Sequence, residues 1–307
     1  MLHWNGFSSN QNADLVREES LRNPIYSCAW LSVDFEDCIL AFGGRHGTIH
    51  LVSVALSSEI YKLNNENKEA VTFLSAASQK CGVFCSLSQS SGMARVWRLW
   101  ARDSVTLQSS HKFHQPTTAE FIISNNTCKG NWDLLIGCED GHFYEVSNGI
   151  TEKLLKRKHR KSIDSIKQLS TGYIISKSVD GEVLLWDCFK DELIKVLIKP
   201  RMTSFVAETL SPLEVNFEGT FFCFGDEDGK VLVYDVQGKL ISKLKHPKVK
   251  KMRITTCAFT NQSNQILCAT EKSFIFRFDY ISPEVRAIWD KFEDSVENDE
   301  ENTEGSS

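Results

Sequence analysis

Short apolar runs of alternating character, separated by turns that mostly contain glycine, fill most of the chain. Phe221-Phe222-Cys223-Phe224 leads into the turn Gly225-Asp226-Glu227-Asp228-Gly229, and this into Val231-Leu232-Val233-Tyr234. An apolar run, a tight polar turn and a second apolar run predict two antiparallel strands. The same phrase recurs at 174–181 with 183–187, at 134–141 with 143–146, at 39–47 with 49–52 and at 83–87 with 94–97. A last copy, 266–270 with 274–278, lacks the glycine. Gly181 and Gly229 stand one repeat apart and Gly43 and Gly137 two, a period of about 40–50 residues. A unit of this size cannot bury both of its faces alone. Copies must stack on one another and share their apolar surfaces. The expected architecture is all-β: a β-propeller of about seven four-stranded blades.

One copy carries a recognisable motif. Ser176-Lys177-Ser178-Val179-Asp180-Gly181-Glu182-Val183-Leu184-Leu185-Trp186-Asp187, with His159 upstream, resembles a WD40 repeat along almost its whole length. The resemblance covers about 25–281 and implies a buried hydrogen-bonded set of His159, Ser176 or Ser178, Asp180 and Trp186. His246 with Asp228 is a partial copy. Trp97, Trp186, Tyr234 and Phe278 fall at equivalent strand positions and are expected in the blade cores.

Two families are similar in more detail. Ile25-Tyr26-Ser27-Cys28-Ala29-Trp30 and 40–49, together with His159-Arg160 and Ile163-Asp164, resemble the Polycomb embryonic-ectoderm-development (extra sex combs) family. The runs 134–141 and 225–236, and the short spacer between Val146 and His159, look more like the WD domain of the leucine-rich-repeat and WD-repeat protein that associates with the origin recognition complex. Both families have strands before the segment matched by 1–24. The expectation is therefore a first-blade remnant at 1–24, a propeller at 25–281 and an acidic tail at 282–307.

Charge sharpens this division. Nine acids against two bases give the last segment a net −7, so the body of a chain that totals −5 carries +2. The tail is poor in aliphatic residues after Phe292 and is expected to be disordered. No run of 18 apolar residues predicts a membrane span, and 1–30 lack an apolar signal-peptide core. Ten cysteines are then read as reduced thiols of an intracellular protein.

The search for chemistry returns little. Cys81 and Cys85 have a C-x3-C spacing with His111 and His114 downstream, but Cys85 falls in a predicted strand, so zinc is not expected. No nucleophile elbow, zincin motif, Walker loop or dinucleotide loop occurs. The glycine-flanking aspartates Asp140, Asp180 and Asp228 are turn residues. The expectation is a protein that is not an enzyme and holds no cofactor or metal; the alternative of another class is a hydrolase built on a propeller.

Two basic runs stand out: Lys156, Arg157, Lys158, Arg160 and Lys161, and Lys245, Lys248, Lys250, Lys251 and Arg253. Both fall between the outer strand of one blade and the inner strand of the next, and are expected on one face that attracts phosphates or acidic protein. For the Polycomb family the resemblance implies an aromatic cage, of which only Tyr26 is matched; an adjacent aromatic pair corresponds to about Thr209-Leu210. The resemblances together imply a nuclear, non-catalytic scaffold on chromatin. Its partners would be the origin recognition complex and repressive histone-marked chromatin or, alternatively, Polycomb subunits around a histone methyltransferase. Histone tails and non-specific nucleic acid are further expected contacts, and a membrane is not.

Overall fold

The computed structural model describes residues 2–3, 14–15, 24–33, 37–64, 69–78, 81–123, 132–147, 149–200, 211–246, 252–260 and 265–279. The expected tail, Lys248, Lys250, Lys251 and Thr209-Leu210 lie outside them, as does most of 1–24.

Among the described residues every regular element is a strand, and six consecutive antiparallel sheets form the blades of a β-propeller. Blade 1 comprises Ile25–Leu31, Ile39–Gly44, Thr48–Ser53 and Ser58–Asn64. Blade 2 comprises Phe73–Ala76, Val83–Ser88, Met93–Ala101 and Ser104–Lys112. Blade 3 comprises Pro116–Ile122, Asp133–Cys138, His142–Ser147 and Thr151–Lys158. Blade 4 comprises Ile163–Gln168, Ile174–Ser178, Val183–Asp187 and Glu192–Ile198. Blade 5 comprises Glu214–Val215, Phe221–Gly225, Lys230–Asp235 and Leu240–Lys245. Blade 6 has three described strands, Ile254–Phe259, Gln265–Thr270 and Ile275–Asp279. A two-stranded ladder pairs Leu2–His3 with Asp14–Leu15.

The repeat read from the sequence is the repeat of the pairing. The second and third strands place Trp97 opposite Phe84, Trp186 opposite Ile174, Tyr234 opposite Phe222 and Phe278 opposite Ile266. First strands of successive blades lie against one another and are therefore the innermost.

The core is five clusters, one at each junction of consecutive blades, not one central mass. Ala41 and Leu51 of blade 1 pack with Leu74 and Phe84 of blade 2, and Val96 of blade 2 packs with Phe121 and Ile136 of blade 3. Phe143 of blade 3 meets Trp186 of blade 4, Leu185 of blade 4 joins Phe222 of blade 5, and Val231 of blade 5 packs on Ile254 and Phe276 of blade 6. Burial of apolar surface, worth about 25 cal/mol per Å², is thus gained between blades rather than within them.

Close approach at three of these junctions depends on glycine. A Cβ on Gly43 would stand 3.0 Å from Val71, one on Gly137 2.9 Å from Ile163, and one on Gly225 2.3 Å from Ile254. The matching position of blade 4 is Lys177, which is wholly buried. Its ammonium donates to the Asp164 carboxylate and lies 5.6 Å from the Phe224 ring centre in blade 5.

Polar side chains also fasten blade to blade. Asp37, its side chain inaccessible to solvent, accepts from Ser53 Oγ at 2.6 Å, Cys38 N at 2.8 Å and Ala55 N at 3.2 Å, and from Arg102 Nε of blade 2 at 3.1 Å. Burial raises the Asp37 pKa, but bonds from Ser53, Ala55 and Cys38 and the Arg102 charge outweigh it and hold the carboxyl below its usual range. The lowered folded pKa means that this stabilisation is present above the unfolded aspartate pKa and is lost as pH falls through the folded value. Asp37→Ala is expected to cost about 1–3 kcal/mol at pH 7 by urea denaturation. The gap between variant and wild type should narrow as pH falls below the ordinary aspartate range and through the lowered folded value.

Candidate functional site

The WD40-like residues of blade 4 come together, with one exchange of partner. Ser176, fully buried, accepts from Trp186 Nε1 at 3.1 Å and bonds His159 Nε2 at 2.9 Å. The other ring nitrogen of His159 lies 2.7 Å from Glu182 Oε2. Asp180, expected in that place, instead accepts from Ser178 Oγ at 2.6 Å and from the Glu182 backbone at 3.3 Å. The aspartate shapes the turn, and the glutamate just beyond it reaches back to the histidine. A second copy exists in blade 2, where Trp97 Nε1 donates to Ser86 Oγ at 2.9 Å.

Gly141 seats His159 from below. It has φ +83° and accepts from His159 N at 2.9 Å, and a Cβ there would lie 2.2 Å from the His159 carbonyl. The set is thus a closed network inside the blade 3–4 junction, with Phe143 against both His159 and Trp186. Nothing in it is presented to a substrate. Buried groups of this kind contribute by being satisfied, and deleting one strands its partner. Glu182→Ala is expected to lower stability by about 1–3 kcal/mol in urea denaturation, because it leaves the buried His159 ring without its acceptor. Glu182→Gln, which can still accept a hydrogen bond, should recover most of the loss. Equal stability of wild type and Glu182→Ala would remove His159 from the junction's support.

The described basic positions fall on two outer strands and on the loops that enter blades 4 and 6. Lys156, Arg157 and Lys158 belong to the outer strand of blade 3, and the Lys156 and Arg157 amides donate to Asp191 of blade 4 at 2.6 and 3.1 Å. Arg160 and Lys161 lie beyond that strand, exposed on the loop to blade 4. Lys245 ends the outer strand of blade 5, and Arg253 lies just before blade 6. The loops also alternate with acidic turns. Glu139 N is bonded to Gln115 O, Val179 N to Ser162 O and Glu271 N to Arg253 O, which ties each turn between second and third strands to the loop entering its own blade. Exposed Glu139, Asp140, Glu227, Asp228 and Glu271 therefore stand among the basic side chains. Lys230 pairs with Asp228 at 2.9 Å and His142 with Asp140 at 3.0 Å. The surface is mixed rather than uniformly positive.

Tyr26 is about half exposed at the start of the innermost strand of blade 1, and no ring contact to it is present among the described residues. The nine described cysteines form no disulfide. Among the described residues no group of three or more histidine, cysteine or acidic side chains is placed to hold a metal ion, and Cys85 is buried in the blade 2–3 core.

The opposite end of the propeller carries what the sequence reading missed. There the first and second strands, and the third and fourth, are joined. The Gln168 side chain accepts from Ile123 N at 2.7 Å and donates to Ile123 O at 3.0 Å, joining blade 3 to blade 4. Ser170 Oγ donates to Glu218 O at 3.0 Å, joining blade 4 to blade 5. On these fastened turns Ile123 and Tyr173 are exposed and Phe217 is 81% exposed, with Phe189 and Ile150 exposed on the turns further out. These exposed apolar side chains all lie on turns at this one end of the propeller.

The comparison with curated proteins finds "Polycomb group protein FIE1" of Oryza sativa subsp. japonica, 32% identical over 136 residues. The match covers 40% of this chain and 28% of the length of that relative. No protein-family model matches the chain.

Proposed function

We propose that this WD40-type propeller is a non-catalytic scaffold of nuclear chromatin complexes and docks a Polycomb-type protein partner. The observation that carries the reading is the apolar end of blades 3–5, where Ile123, Tyr173 and Phe217 stand exposed on turns that are hydrogen-bonded to one another. Apolar side chains already held in place cost little conformational entropy on binding, and aromatic ones are favoured as anchors of protein interfaces. The buried, satisfied state of the blade 4 network supports the same reading, because its histidine, serine and carboxylate are engaged with one another rather than with a substrate.

Similarity to a Polycomb group protein supports the chromatin setting and the nuclear location. It also favours Polycomb subunits over the origin recognition complex as partners. A single ring at Tyr26 does not enclose a methylated ammonium, so the scaffold role does not rest on methyl-lysine capture. Acidic turns among Arg160, Lys161 and Arg253 likewise favour a protein surface over a run of phosphates.

The test is affinity purification from nuclei, with wild type and a variant carrying Ile123→Ser, Tyr173→Ser and Phe217→Ser. Wild type is expected to recover Polycomb-type subunits, and the variant at least about tenfold less at an unchanged melting temperature. Recovery of origin recognition subunits in their place, or equal recovery by a folded variant, would contradict the proposal.

A further inference from the structure

Three cysteines meet at the junction of blades 5 and 6, outside the hydrogen-bonded set of blade 4 and the apolar turns. Cys223 lies on Phe221–Gly225, the second strand of blade 5, and Cys257 on Ile254–Phe259, the first strand of blade 6. Cys268 stands directly opposite Cys257 in the blade 6 ladder. All three are buried in one cluster with Val231, Ile254 and Phe276. The Cys223 thiol donates across the junction to Cys257 Sγ at 3.5 Å. Ser211 Oγ, also buried, lies 3.8 Å from the same Cys257 sulfur and accepts from Gly225 N at 2.6 Å.

We propose that Cys223 and Cys257 are a site of reversible oxidation by hydrogen peroxide, and that the disulfide they form clamps blade 5 to blade 6. A disulfide holds its sulfurs about 2.05 Å apart, so the two must close by about 1.5 Å, a shift shared between two side chains. The backbones beside them are already joined, because Ile254 N donates to Asp226 O at 3.1 Å and Gly225 leaves room for Ile254. The bond therefore forms between strands that are held together before it exists.

The two thiols take different roles. The thiolate is the form that attacks a peroxide. Cys257 is that nucleophile: its sulfur accepts the Cys223 S–H, and it is the less deeply buried of the two, 3% exposed against 0%. The bond to Cys257 and burial push the Cys223 thiol up, which keeps it a protonated donor. Cys257 Sγ attacks one peroxide oxygen and the O–O bond breaks. Cys257 becomes a sulfenic acid, and its proton leaves with the other oxygen as water. Cys223 Sγ then attacks the sulfenic sulfur, the S–O bond breaks, and the Cys223 proton leaves with that oxygen as a second water. Each thiol gives up one proton and one electron, and the peroxide takes up both pairs. Two molecules of an external thiol reverse the step by exchange and are themselves oxidised to a disulfide.

Burial slows the first step, so its rate follows how often the junction opens. Exposed Cys28 and Cys38 meet peroxide without such an opening and are oxidised sooner. Cys268, opposite Cys257, is the competing partner, but the donated thiol on Cys257 belongs to Cys223. Once formed, the bond restricts the unfolded chain between residues 223 and 257, and the folded-to-unfolded ratio should rise by about a hundredfold.

The experiment treats the whole folded chain with a small excess of hydrogen peroxide, alkylates the remaining thiols in urea, and maps the peptides by mass spectrometry before and after dithiothreitol. The expected result is a disulfide between the Cys223 and Cys257 peptides that dithiothreitol releases, Cys268 alkylated, and an oxidised chain that unfolds at higher urea. Cys268→Ser should keep the link, and Cys257→Ser should lose both the link and the gain in stability. Recovery of Cys223 and Cys257 as alkylated thiols after Cys28 and Cys38 have been oxidised would overturn the proposal. So would a link from Cys257 to Cys268, or a Cys223–Cys257 link without a gain in stability. The wild-type map decides the matter even where a variant fails to fold. No partner takes part, so this site and the scaffold reading stand or fall separately.

Discussion

The structure depends on blades approaching closely enough to share their apolar faces. No single sheet here encloses a core; each cluster draws its side chains from two consecutive blades. The approach is set where the end of a second strand meets the entry to the following blade. Gly43, Gly137 and Gly225 leave room there for Val71, Ile163 and Ile254. Blade 4 solves the same junction differently. Lys177 fills the position, and a buried lysine is tolerable only because Asp164 neutralises it and an aromatic face lies over it. The Asp164 carboxyl is itself raised by burial against the pull of Lys177, the mark of a pair held out of water.

Around this frame, polar side chains act as fasteners between neighbours. Asp37 joins blade 1 to blade 2, Asp191 blade 3 to blade 4, Gln168 blade 3 to blade 4, and Ser170 blade 4 to blade 5. These bonds keep the apolar turns of blades 3–5 in place without burying them. Polar and apolar groups therefore sit at opposite depths: the hydrogen-bonded set of blade 4 lies inside a junction, while Ile123, Tyr173 and Phe217 lie exposed on fastened turns.

Much of this was legible in the sequence because it is periodic. The strand–turn–strand phrase recurs, and Trp97, Trp186, Tyr234 and Phe278 fall in register, so fold class and blade order follow from local pattern. The partner of His159 was not legible, because Asp180 and Glu182 flank the same glycine and only the direction of each side chain decides which reaches the ring. The mixed character of the basic loops was hidden for another reason: Glu139 and Glu271 are distant in the chain from the lysines and arginines their turns adjoin. Ile123, Tyr173 and Phe217 are each unremarkable alone, and only the ring of blades makes neighbours of their turns.

The close junction is tested most directly at Gly225, where an added methyl group would lie 2.3 Å from Ile254 and the glycine φ is not in the left-handed region. The effect of Gly225→Ala is therefore steric rather than conformational. Overpacking of this kind costs about 1–3 kcal/mol. Denaturation monitored by amide hydrogen exchange should show that loss, with protection falling first in Phe221–Gly225 and Ile254–Phe259. A variant with unchanged stability and unchanged protection in these two strands would contradict the claim that the blades are held at the distance the glycines allow.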